Sequence, residues 1–100
     1  MSQPDFSPKA VADLDGILNY IARDRPETAQ RLVESLIERC EMLAQFPEAG
    51  TRCESIAPSL RYFSAEPHVI YYRASGNTVR IERILHGARD APALFDRPSQ

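Results

Sequence analysis

The hydrophobic period of this chain changes once, near residue 60, and that change limits what it can fold into. Before it, apolar residues recur at three- and four-residue steps: Val11, Leu14, Ile17, Leu18 and Ile21, then Ala29, Leu32, Val33, Leu36, Ile37, Cys40, Leu43 and Ala44. That spacing makes one stripe on each of two helices. After it, the segments 60–65, 68–74 and 79–85 read with the period of two that belongs to strands, rich in Val, Ile and Tyr. Pro26 divides the helical part, because it disfavours helical geometry in the residue before it and suits the first position of a new helix. Two amphipathic helices joined by so short a turn run antiparallel. Helices followed by strands, in series, imply an α+β fold: an N-terminal antiparallel helical hairpin on one face of a small antiparallel β-sheet.

The boundaries follow from turn chemistry. Pro4 to Ser7 is a short lead-in that can hold a brief strand, giving the order β-α-α-β-β-β. Ser7 caps the first helix and Pro8 opens it. That helix should end near Asp24, and the second should close at Phe46-Pro47. Residues 48–59, with Gly50 and Pro58, read as an irregular loop. Ser75-Gly76-Asn77 reads as a tight hairpin turn. Residues 1–90 make one domain, and 91–100 make a tail with room for one anchored turn around Leu94 and Phe95. The helices cover one sheet face, and the chain holds no further element to cover the other. A partner is therefore expected on that face or in the outer groove of the hairpin.

Charge narrows the function. Residues 1–50 carry five Lys/Arg and nine Asp/Glu, a balance of −4, whereas residues 51–100 carry seven Arg and five Asp/Glu, a balance of +2. The first half is an acidic helical layer, and the single lysine, Lys9, lies at its start. A protein that grips nucleic acid unaided carries a strong basic patch, which this chain lacks. No apolar run approaches the ~20 residues of a membrane span, and no signal peptide is evident, so a cytoplasmic location is expected. Cys40 falls on a helical apolar stripe and reads as core, and Cys53 reads as a free thiol in the loop. Neither has zinc-ligand spacing, and no metal or other cofactor is expected.

The last strand and its turn, Val79 to Asp90, gather chemistry. In strict alternation Val79, Ile81, Arg83 and Leu85 share one face, and Arg80, Glu82, Ile84 and His86 the other. Both faces are then mixed. Either a bulge shifts the register after Glu82, or Arg83 is partly buried against a carboxylate. His86, Arg89 and Asp90 collect around Gly87. Tyr62, Tyr71 and Tyr72 read as sheet packing, and His68 as a solvated strand start.

Five colinear segments resemble the RelE/ParE toxin superfamily of bacterial toxin–antitoxin modules, and the ParE branch more closely. They are Ala12-Asp13-Leu14-Asp15 leading to Tyr20-Ile21-Ala22; Pro26-Glu27-Thr28-Ala29; Leu43 to Gly50 (Leu-Ala-Gln-Phe-Pro-Glu-Ala-Gly); Val69-Ile70-Tyr71-Tyr72-Arg73; and Ile81 to Asp90. One departure is Arg25, where such sequences often carry a capping Asn or Asp; its loss weakens the cap by about 1 kcal/mol. The resemblance implies a toxin that poisons DNA gyrase and is silenced by a ParD-like antitoxin, whose C-terminal segment folds onto it as a helix plus an extended stretch. It implies contact with DNA only through that antitoxin.

The expected target surface comprises Arg61, Arg83, His86 and Arg89. The expected antitoxin surface comprises Asp13, Asp15 and Glu34, facing Arg or Lys of the partner. The RelE branch supplies the alternative, a ribosome-dependent mRNA endonuclease. Arg61 and Arg83 would then clamp phosphate and His86 would move the proton. A non-toxic antitoxin-binding scaffold is a third reading.

Overall fold

A computed structural model describes residues 3–87; the expectations for Arg89, Asp90 and the 91–100 tail lie outside them. The elements are β1 (Asp5–Phe6), α1 (Pro8–Ala22), α2 (Pro26–Gln45), a single 3-10 turn (Pro47–Ala49), β2 (Thr51–Arg52), β3 (Leu60–Ala65), β4 (His68–Ser75) and β5 (Thr78–His86). The sheet order is β1-β5-β4-β3-β2. Its pairs are antiparallel except β1 with β5, which run parallel. The short strand β2, inside the stretch read as an irregular loop, lengthens the sheet at its far edge. No helix among the described residues is long and apolar enough to cross a membrane.

Ser7 begins α1 and also fastens it to the sheet. Its side-chain oxygen accepts from the Ala10 N–H at 3.0 Å and donates to the Glu82 carbonyl at 2.7 Å, while its own N–H donates to the Ile81 carbonyl at 2.9 Å. Arg25, before α2, makes no side-chain cap. The stripes of both helices meet the sheet in one core of Ala10, Leu36, Cys40, Leu43, Ile70, Tyr72, Val79, Ile81 and Ile84.

The mixed faces of β5 resolve through both readings at once. Tyr72 lies opposite Ile81 and Tyr71 opposite Arg83, so Glu82 is one extra residue in the strand. The bulge advances the register, and Ile81 and Ile84, which strict alternation puts on opposite faces, both enter the helix-side core. Arg83 is also paired with a carboxylate, that of Asp13.

Two expectations are corrected. The sheet's second face is partly covered: Ala57, Leu60 and Tyr71 form a second buried cluster with Cys53, Ile56, Val69 and Leu85 around it. Apolar residues scattered through the 53–57 loop supply that cover, and Arg73 ties the loop down by donating to the Pro58 carbonyl at 2.9 Å. His68 is not solvated; it is only 4% exposed. Tyr71 and Tyr72 are buried, while Tyr62 is exposed. Cys40 is buried, which with Glu41 nearby pushes its thiol up to about 12, and both cysteines are free.

Candidate functional site

The described target-surface candidates, Arg61, Arg83 and His86, fall into three separate places. Arg61, on β3, reaches across the sheet end and donates to the Gly50 carbonyl at 2.8 Å. Gly50 in turn donates its N–H to the Tyr72 hydroxyl at 2.8 Å, and that hydroxyl donates to the Pro47 carbonyl at 2.6 Å. The Pro47–Gly50 turn is thus fastened to the central strand by one buried tyrosine. Gly50 has no room for a side chain, since an added Cβ would lie 2.7 Å from the Tyr62 carbonyl oxygen and closer still to the Tyr72 hydroxyl. Burial raises the Tyr72 hydroxyl above the usual tyrosine range, against the opposing pull of the Gly50 hydrogen bond and Arg61.

Arg83 forms the second place, on the outer edge of β5. Its Nε and Nη2 donate to the two carboxylate oxygens of Asp13 at 2.8 and 2.9 Å. Asp13 Oδ2 also accepts the Ile84 N–H at 2.9 Å. Both side chains are only 14% exposed. The hydrogen bonds it donates to Asp13 hold the guanidinium more firmly charged, outweighing its burial. Asp13 therefore closes the strand edge beyond β1 and fixes α1 against β5. The expectation of Asp13 as an open contact for a basic partner meets a carboxylate already engaged within the chain.

His86, exposed at the end of β5, forms the third place. It lies opposite His68, with ring centroids 5.4 Å apart and planes nearly perpendicular at 86°. Counting from Ser75 opposite Thr78, an unbroken register would put Leu85 against His68; the extra Glu82 puts His86 there. His68 Nδ1 is buried and has no hydrogen-bond partner among the described residues. Burial, and then His86, lower the tendency of His68 to take up a proton. Beside this pair a groove of about 660 Å³ opens between α1 and β5, with Gly16, Ile17, Tyr20 and Pro67 in its walls.

The structure does not bring Arg61, Arg83 and His86 together. Arg61 pairs with Tyr72, and His86 with His68 four residues along β4 and one strand further over. Strand rise and spacing then put the Arg61 and His86 backbones roughly 16 Å apart. Among the described residues no three His, Cys, Asp or Glu side chains gather as metal ligands would.

Asp15 and Glu34 remain exposed on the helices. Asp15 borders a second groove, about 300 Å³, with an apolar floor of Phe6, Val11, Leu14, Leu18, Val33 and Ile37. Val11 is 54% exposed there. This groove is where the outer surface of the hairpin was expected to take a partner.

Known proteins resemble this chain over most of its length. Residues 5–91 match the model for the ParE toxin of type II toxin-antitoxin systems, parDE. Toxin RelE2 of Caulobacter vibrioides is 35% identical over 89 residues, covering 89% of this chain and 99% of that protein. Toxin ParE1 of Mycobacterium tuberculosis is 32% identical over 88 residues, covering 85% and 89%. A solved structure described as the chromosomal ParDE TA system from P. aeruginosa superposes with a TM-score of 0.74 at 29% identity, covering 87% of this chain and 97% of that one.

Proposed function

The chain belongs to the ParE toxin family of type II toxin–antitoxin systems, and from that premise we propose that it poisons DNA gyrase as a stoichiometric protein inhibitor, silenced by a ParD-like antitoxin. The observation that carries this reading is the dispersal of the three groups an RNA-cleaving site would need. Cleavage requires a proton-transfer group and phosphate-stabilising cations converging within hydrogen-bond reach of one phosphate. Arg83 is committed to Asp13, Arg61 donates to Gly50, and His86 lies at the other end of the sheet. A protein surface needs no such convergence. Net charge of −2 also suits a protein target better than ribosomal RNA.

His86 and Arg61 are the described residues offered as target contacts, and Arg89 completes the set in sequence. The antitoxin is assigned to the groove floored by Val11, Leu14, Leu18, Val33 and Ile37. Its apolar floor, with Asp15 at its border and Glu34 exposed elsewhere on α2, fits an amphipathic helix with basic residues beside its apolar stripe. Asp13 is left out of that surface because its oxygens are already taken. DNA is reached only through the antitoxin. The test is purified chain added to gyrase and, separately, to translating ribosomes. Loss of supercoiling with intact transcripts supports the reading; cut transcripts with unimpaired gyrase reject it.

A further inference from the structure

We propose that His68, packed edge-on against His86, is a pH-operated latch on the free end of the β4–β5 hairpin, closed while its ring is neutral and opened when acid protonates it. The argument starts from hydrogen bonding. A neutral imidazole has one donor and one acceptor nitrogen, whereas the protonated ring has two donors. Protonated His68 therefore carries a donor at Nδ1, and that atom is buried without a partner among the described residues. The ring would acquire a charge in a site only 4% exposed, facing another imidazole at 5.4 Å. Buried charge of this kind is tolerated only when paired.

Among the described residues, no carboxylate is shown hydrogen-bonded to His68. From α1 come Asp13 and Tyr20, and Asp13 is held by Arg83 and the Ile84 N–H. Ala65 of β3 lies opposite His68. The turn contributes Glu66, which is exposed, and Pro67. From β5 come Arg83 and His86, both basic. Burial and His86 already oppose the charge on His68, in the direction the latch requires.

The segment that would yield is short and identifiable. Beyond Ile84 the strand end is held by the His68–His86 and Val69–Leu85 pairs and by the Gly87 N–H donating to the Pro67 carbonyl at 2.9 Å. The Glu82 bulge and the Asp13 clamp lie on the inner side of this segment and stay out of the change. Opening would move His86 and the point from which the chain runs on past Gly87, without melting the core. The latch is a property of the chain alone, so its test involves neither gyrase nor antitoxin.

The experiment is NMR of the full chain from pH 7.5 to 5.0. It follows both imidazoles and amide hydrogen exchange at residues 85–87, corrected for intrinsic exchange, in wild type, His68→Gln and His86→Gln. We expect His68 to titrate below the usual histidine range. Each unit of that displacement corresponds to about a tenfold rise in the opening constant on full protonation. The rise should be confined to 85–87, with Ile84, held by Asp13, and Ile70–Tyr72 unchanged. It should shrink in His86→Gln, which removes the basic ring facing His68, and vanish in His68→Gln. Should His68→Gln not fold, His86→Gln decides the matter. A His68 that titrates at or above the ordinary value overturns the latch. So does an acid-induced rise of equal size in His86→Gln.

Discussion

Replacing Asp13 by alanine should be among the most damaging single changes at the boundary between the helices and the sheet. The carboxylate takes two hydrogen bonds from Arg83 and one from the Ile84 backbone, and both partners in the ion pair are 14% exposed. Removing one member of a buried pair strands the other charge and costs about 3–5 kcal/mol. The pair is not wholly shielded, so the lower half of that range is expected. A domain of this size loses roughly 4–8 °C of Tm per kcal/mol, so Asp13→Ala should melt about 12–32 °C below wild type. The chain contains its own control: the Arg80–Asp5 pair is equally short at 2.7 Å but 43% and 60% exposed. Exposed pairs contribute about 0–1 kcal/mol, so Asp5→Ala should barely move Tm. Thermal and urea unfolding of both variants, with Arg83→Ala and the Asp13/Arg83 double variant, completes a cycle. Equal small losses for Asp13→Ala and Asp5→Ala, or an additive cycle, would refute the claim that this pair clamps α1 to β5.

Further outcomes follow from the other sites. Tyr72→Phe removes the bonds to Pro47 and Gly50, one a buried contact, and should cost about 1–3 kcal/mol in urea unfolding. Gly50→Ala forces its new methyl against the Tyr62 carbonyl at 2.7 Å and should cost at least as much, about 1–3 kcal/mol from overpacking. His68 binds its proton less readily folded than unfolded, so its contribution is present in full above about pH 6.5 and is lost as pH falls through its lowered folded value. Wild type should therefore lose more Tm between pH 7.5 and 5 than His68→Gln, and calorimetry at the two pH values checks this. Val11→Asp, at a 54% exposed position over the hairpin groove, should leave Tm nearly unchanged. It should weaken antitoxin binding at least tenfold, about 1.4 kcal/mol, by titration calorimetry.

The helical hairpin, its Ser7 start and its Pro26 division were legible because local periodicity and caps act over a few residues. The irregularity at Glu82 was legible as one of two alternatives, because strict alternation left both faces of the strand mixed. The partner of Arg83 was not legible: Asp13 lies 70 residues away, and only the packing of α1 along β5 brings them together. The burial of His68 was hidden for a related reason. Its neighbour across the hairpin changes from Leu85 to His86 only once the bulge is placed. The cover on the sheet's second face escaped because Cys53, Ile56 and Ala57 sit in a stretch with no period. Gly50 was read as a turn, and its tight approach to Tyr72 is a tertiary fact. The Phe46–Gly50 segment together with a tyrosine on the central strand is the signal that marks it.

The most direct test of the central claim is a DNA supercoiling assay with purified gyrase and equimolar toxin, run beside His86→Ala and beside toxin saturated with its cognate antitoxin. The account predicts lost supercoiling and trapped cleavage complexes with wild type, a weaker effect with His86→Ala, and full recovery on adding antitoxin. Undiminished supercoiling by a folded wild-type chain at stoichiometric or higher amounts would contradict it.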